Sequence, residues 1–194
     1  INTMPTDNLQ AYDSYLRGRQ LMATRKVDKL QQAVEEFGKA VAIDPEFALA
    51  WVNLADANYL LASYQSMSLE AAIPVMESAI SRVMSINTEL GEAYVSLAQI
   101  HEYYQREDKA EAAYLKAIEL SPNYATAYHW YSNFVLESSM LRIAEATKLM
   151  ERAFELDPRS SIISVALASQ YRFQGLLSLA ERQYLDLITL DPEF

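Results

Sequence analysis

The side chains able to do chemistry in this sequence are few, and their spacing suits binding better than reaction. There are two histidines, His101 and His129, and no cysteine. Zero cysteine removes disulfides, thiol nucleophiles and Cys-ligated zinc. No ligand-type residues cluster in sequence with either histidine, so no metal site is expected. Carboxylates that stand together, such as Glu35 with Glu36 and Glu107 with Asp108, fall on expected helix faces and turns. No nucleophile–base pair, phosphate-cradling Gly-rich loop or zinc signature occurs. The sequence therefore reads as a non-enzyme with no cofactor. His101 is expected to be a half-buried packing residue. His129 is the candidate for ligand contact or pH sensing, because an imidazole titrates near neutrality.

The elements that hold these residues are helical. From Glu92 to Pro122, Tyr94, Leu97, Ala98 and His101 share one helix, Ala110, Tyr114 and Ala117 share a second, and Pro122 ends it. Large side chains fill the space between helices, and small ones stand where helices cross closely. The layout recurs as Ala33, Phe37 and Ala40, then Trp51, Leu54 and Ala55. It recurs again as Tyr128, Tyr131 and Ser132 with Ala146, Met150 and Ala153, and as Leu167, Ala168 and Tyr171 with Ala180 and Tyr184. Repeats are expected over residues 8–45, 46–88, 89–122, 123–158 and 159–192, as a single domain 8–194 behind a disordered tail 1–7. The first helix of the first repeat fits loosely, with Leu16 at the small position. The second repeat is nine residues longer than the third. The excess falls around Ala62 to Leu69 and reads as an extended loop, with longer helices as the alternative. Pro74 marks a first turn or a kink.

This is the tetratricopeptide repeat (TPR) pattern of about 34 residues per helix–turn–helix unit, and the chain resembles that family over residues 8–192. The resemblance implies an all-α fold: an α-solenoid of about five helical hairpins forming a right-handed superhelix with a concave groove. A closer likeness lies in AYDSYLRGR, FGKAVAIDPEFALAWVNLADA and AIELSPNYATAYHWYS…AFELDP. These resemble the C-terminal TPR segment of multidomain bacterial regulators, whose output is a winged-helix domain, a class III cyclase or a Ser/Thr kinase. That likeness implies the sensory or protein-interaction part of a signalling or transcriptional regulator.

The family's groove is lined by the first helix of each repeat. The resemblance therefore implies groove residues one, five and eight or nine places beyond the leading aromatic. The second repeat supplies Val52, Asp56, Tyr59 and Leu60, and the third Val95, Gln99, Glu102 and Tyr103. The fourth supplies His129, Asn133, Leu136 and Glu137, and the fifth Val165, Ser169, Arg172 and Phe173. Aromatic rings with amides suit an extended or helical peptide. Relatives that grip a chaperone's C-terminal carboxylates use Lys and Asn at such positions. Here those places read Val52/Asp56, Val95/Gln99 and His129/Asn133, so that function is not expected.

Composition bounds the partner. The 194 residues are 51% apolar with four Gly and six Pro, a globular composition. The net charge of −10 argues against direct nucleic-acid binding, which needs clustered Lys and Arg, and suits a basic or neutral peptide. No run of 18 apolar residues exists to span a membrane, and no leader pattern opens the chain. Because the first residue is Ile1 rather than Met, a segment of a longer protein or a processed chain is expected. A cytoplasmic location is expected, or a periplasmic one if the parent spans a membrane. Asp191-Pro192-Glu193-Phe194 repeats Asp44-Pro45-Glu46-Phe47, which leads into a first helix. A further unit, or a homodimer through an exposed C-terminal end, is therefore expected beyond Phe194.

Overall fold

The helical periodicity is realised as ten α-helices and one short 3₁₀ turn among the described residues. The structure is a computed structural model and describes residues 5–191. Helices α1 (Leu9–Ala23) and α2 (Val27–Ile43) form one hairpin, and α3 (Ala48–Ser63) and α4 (Leu69–Ile86) another. Then come α5 (Gly91–Tyr103) and α6 (Glu107–Leu120). Around the 3₁₀ turn Met140–Arg142, α7 (Ala125–Ser138) pairs with α8 (Ile143–Leu156), and α9 (Ser161–Phe173) pairs with α10 (Leu177–Leu190). The sequence reading takes 8–194 as one domain. The structure divides into two compact units, Ile1–Ala110 and Glu111–Phe194.

Local chemistry sets the helix ends. The side chains of Trp51, Tyr94 and Tyr128 donate to the carbonyls of Pro45, Thr88 and Pro122, each at 3.0 Å and six residues back. Each ring thus staples the turn that precedes its helix. Asp44 Oδ1 accepts the Glu46 N–H at 3.0 Å, and Asn87 Oδ1 accepts that of Glu89 at 2.9 Å. Asn87 therefore does the turn-forming work of Asp44, and the missing Asp-Pro pair costs the second repeat nothing there. At the other end of the first helices, Arg25, Gln65, Gln105 and Gly175 have φ of 56°, 57°, 55° and 75°. Behind three of them, Ser66, Arg106 and Leu176 donate back to Leu61, His101 and Tyr171 at 2.9 Å, the Schellman closure.

Three expectations change. The sequence reading puts Thr6 in a disordered tail, but it is buried, bonds the Asp44 carboxylate and accepts the Asn8 N–H at 3.0 Å. Residues 1–4 of that tail lie outside the described residues, as do Pro192, Glu193 and Phe194. The long second repeat is mainly longer helices. Helices α3 and α4 have 16 and 18 residues against 13 and 14 in α5 and α6, while the loop 64–68 exceeds 104–106 by two. Helix α3 buries Val52, Ala55, Ala57, Leu60 and Leu61 on several sides, so an added turn finds apolar cover. Pro74 lies inside α4, as its sixth residue, on an exposed face where water can satisfy the carbonyl it orphans. In α1 the small position is Gly18 and not Leu16. A Cβ at Gly18 would meet Phe37 Cε1 at 2.6 Å, whereas Leu16 is exposed.

In unit 1, Tyr15, Phe37 and Phe47 form one core, with the Tyr15 and Phe47 ring centroids 4.8 Å apart. A second centres on Met76, Ile80, Val83, Ala93 and Ile100. In unit 2, Met150, Ala153, Ile163 and Leu167 pack together. Each Val, Leu, Ile, Phe or Met among these contributes about 1.5–3 kcal/mol on burial.

Candidate peptide-binding face

In unit 1 the first helices α1, α3 and α5 lie along one another. Asp56 of α3, half-buried, accepts the Ser96 hydroxyl of α5 at 2.7 Å. Burial pushes its carboxyl up to about 6, and Glu92 adds to this; the Ser96 bond and Arg25 pull the other way. Tyr15 of α1 is also held above its ordinary range by burial, with the Arg19 guanidinium 5.8 Å over its ring. Gln99, one turn beyond Ser96 on α5, is buried with its Oε1 lacking any hydrogen-bond partner. The face thus holds acceptors that the protein's own donors leave under-used.

The residues singled out in the sequence fall into three groups. Val52 and Val95 are 0% and 2% exposed, and this corrects their assignment to a groove surface. Neighbouring packing covers them, and a side chain with no free area cannot touch a ligand. Leu60, Gln99 and His129 are buried as well. The His129 ring lies 5.0 Å from that of Trp130, and its Nε2 is 3.4 Å from Asn133 Nδ2. Asp56, Tyr59, Tyr103 and Asn133 are half-buried. Of these, Tyr59 and Tyr103 pack against the Met76 core, and the Tyr103 ring meets Tyr104 edge-on at 5.1 Å. Arg172 is exposed, with its guanidinium 5.6 Å over the exposed Phe173 ring.

Sequence reasoning missed Tyr15, Arg19, Arg25, Glu92 and Ser96. A signal for the first two existed. Gly18 as the small residue of α1 puts Tyr15 three places before it, as Val95 stands before Ala98, and Arg19 one place after, as Gln99 does. Arg25 sits in the turn after α1 and Ser96 bonds across two helices, and neither relation has a periodic signature.

In unit 2 several polar groups pair internally, although Gln170 Oε1 is buried with no hydrogen-bond partner. Tyr131 donates to Glu111 Oε1 at 2.8 Å, and Arg142 donates to the same atom at 2.5 Å. The Arg142 bond holds Glu111 below its ordinary range, while burial and then Glu111 push Tyr131 up to about 12. Gln170 donates to Ser132 Oγ at 2.8 Å, and Ser132 to the Ala146 carbonyl at 2.6 Å. His101, half-buried as expected, is held below its ordinary range by burial, then by Arg106 and Lys109. Among the described residues, no three His, Asp or Glu converge to hold a metal, and no helix is long and apolar enough to cross a membrane.

Comparison with known proteins accords with this architecture. Residues 91–124, covering α5 and α6, match the family model of the tetratricopeptide repeat. The chain is 27% identical over 187 residues to the human protein O-mannosyl-transferase TMTC3, covering 94% of this chain and 18% of that protein. It thus spans less than a fifth of the curated relative it matches. Among solved structures, TTC0263, a TPR protein of Thermus thermophilus, is 20% identical with a TM-score of 0.66, covering 94% of this chain and 92% of that one. Yeast Tom70 is 24% identical with a TM-score of 0.63, covering 93% of this chain and 36% of that one. These two likenesses are of fold. The chain thus contains a tetratricopeptide repeat at α5 and α6, with helical hairpins before and after it in the sequence.

Proposed function

We propose that this protein–protein interaction module takes an extended or helical peptide, rich in donors and basic, on its first-helix faces. In unit 1 the contacts come from Asp56, Tyr59 and Tyr103, with Arg19 and Glu92 beside them and Gln99 buried behind. In unit 2 they come from Asn133 and Arg172, with His129 behind them. The observation that carries this reading is the under-paired carboxylate of half-buried Asp56 in unit 1, which receives the Ser96 hydroxyl. An incoming N–H or cationic group would satisfy its remaining acceptor sites. The test is a display library of unstructured peptides selected at pH 7.5, with the best sequence then titrated into Asp56→Asn. Basic sequences should be enriched, and binding should weaken roughly tenfold in the variant, the loss of one charge-assisted bond of about 1.5 kcal/mol. The sign with pH follows from the raised carboxyl. Protonation below about 6 removes the charge, so affinity should fall as pH drops from 7.5 to 5. Enrichment of acidic sequences, or equal affinity in Asp56→Asn, would sink the reading.

We infer further that the module is the sensory part of a bacterial signalling or transcriptional regulator. The likeness of AYDSYLRGR and its companion segments supports this. Sequencing the native gene on both sides would test it, and the absence of an output domain there would refute it. A second reading, an adaptor that self-associates, draws on α10. Ile188 is 62% exposed, whereas Phe154, the same position one repeat earlier on α8, is half-buried against the Met150 core. A light-scattering mass that rises with concentration would favour it.

A further inference from the structure

The end of α1 and the turn after it are basic in an acidic protein. Five of the sixteen Lys and Arg fall within residues 17–29, beside a single carboxylate, while the whole chain carries −10. Arg17 bonds Asp13, and Lys29 pairs with Asp28 at 3.6 Å. Arg19 and Arg25 make no ion pair among the described residues. Arg19 is exposed and lies over the Tyr15 ring. Arg25 is half-buried in the turn and holds the left-handed conformation. The other left-handed positions are the neutral Gln65, Gln105 and Gly175.

The small residues set the order of charges across the face. Arg19 follows Gly18 on α1 as Asp56 follows Ala55 on α3. Arg25 attracts the Asp56 carboxylate through space without closing an ion pair on it. Glu92 of α5, half-buried, acts on both Asp56 and Tyr15 as a nearby like charge. Two guanidiniums on the α1 side therefore face two carboxylates on α3 and α5, and neither pair neutralises the other.

We propose that the unit 1 face takes its peptide in one direction, with an Asp or Glu side chain on Arg19 and Arg25 and a Lys or Arg side chain between Asp56 and Glu92. This rests on the peptide-binding reading of the same face and adds to it an acidic subsite and a polarity. A ligand carboxylate meets planar guanidinium donors there. A ligand cation relieves the repulsion between Asp56 and Glu92. A wholly basic peptide would set a cation against Arg19 and Arg25, and a peptide laid the other way would bring like charges together at both ends.

The test is the same display selection, run in parallel against the whole chain and its Arg19→Gln/Arg25→Gln variant. Glutamine already stands at the matching places, as Gln99 on α5 and as Gln65 and Gln105 in the turns, so the variant should fold. Arg25→Gln alone serves should the double variant not fold. The unaltered chain should enrich net-basic sequences with one Asp or Glu on a constant side of the Lys or Arg. The variant should enrich the cation without the acid. In the best peptide, replacing that acid by its amide should weaken binding to the unaltered chain several-fold and leave binding to the variant unchanged. Exchanging the acid and the cation should also weaken binding several-fold. Enrichment of cations with no acid preference overturns the proposal, as does an acid on either side equally, or an equal loss with both proteins on removing the acid. If Asp56→Asn still weakens binding in those cases, the peptide face stands without its acidic subsite. Enrichment that does not depend on Asp56 sinks both.

Discussion

At Gly18, helix α1 approaches Phe37 so closely that an added methyl would sit 2.6 Å from a ring carbon. Phe37 is fully buried and packs with Tyr15, so it has little room to move. Gly18→Ala should therefore cost roughly 1–3 kcal/mol by overpacking, read as a fall in the urea unfolding midpoint. An unmoved midpoint would mean that the ring turns aside freely. Asp56 and Gln99 carry the opposite kind of tension, an acceptor buried without enough donors. Leaving such an atom unpaired costs roughly 1–3 kcal/mol. Of the residues expected at a groove, Asp56 and Asn133 keep free area on a first helix. Val52 and Val95 were misread because counting along one helix cannot tell an open side from a side covered by the next helix.

Helix ends show a different balance. Gln65 and Gln105 adopt the left-handed conformation that Gly175 supplies without steric conflict. A side chain there costs roughly 1–2 kcal/mol, and glycine returns part of this as extra freedom of the unfolded chain. Gln105→Gly should accordingly raise stability by roughly 0.5–1 kcal/mol, and Gly175→Ala should lower it by a similar amount. Thermal unfolding measures both, and a loss on Gln105→Gly would show that its side chain contributes more than its backbone costs. The ends of α6 and α8 were legible because Ser121-Pro122 and Asp157-Pro158 are local stop signals. The lengthening of α3 and α4 was not, since a continued helix and a polar loop are both compatible with the segment from Ala62 to Leu69.

The net charge of −10 is a property of the whole chain. A field of one sign attracts a basic peptide from a distance, and salt shortens its reach from about 30 Å at 0.01 M to about 10 Å at 0.1 M. The association rate of a basic peptide should therefore fall roughly tenfold between about 0.01 and 0.3 M salt, with a smaller change in dissociation. Stopped-flow mixing at the two salt concentrations measures this, and a flat rate would mean that local contacts alone govern the encounter. The division at Ala110 and Glu111 also belongs to this scale. It cuts through α6, which the sequence presents as an uninterrupted helix of the best-matched repeat.

The sequence by itself determined the all-α class of the described residues, the order of the helices and, outside α1, the small residues that mark close crossings. These follow from periodicity and from turn residues acting within a few positions of themselves. Only the tertiary structure decided which side chains remain reachable, because the cover over Val52 and the partner of Asp56 come from other helices, Ser96 standing forty residues beyond Asp56. It likewise decided that a cavity of about 280 Å³ lies beside His101. The size of a hole depends on the walls around a residue as much as on the residue, and those walls belong to other helices.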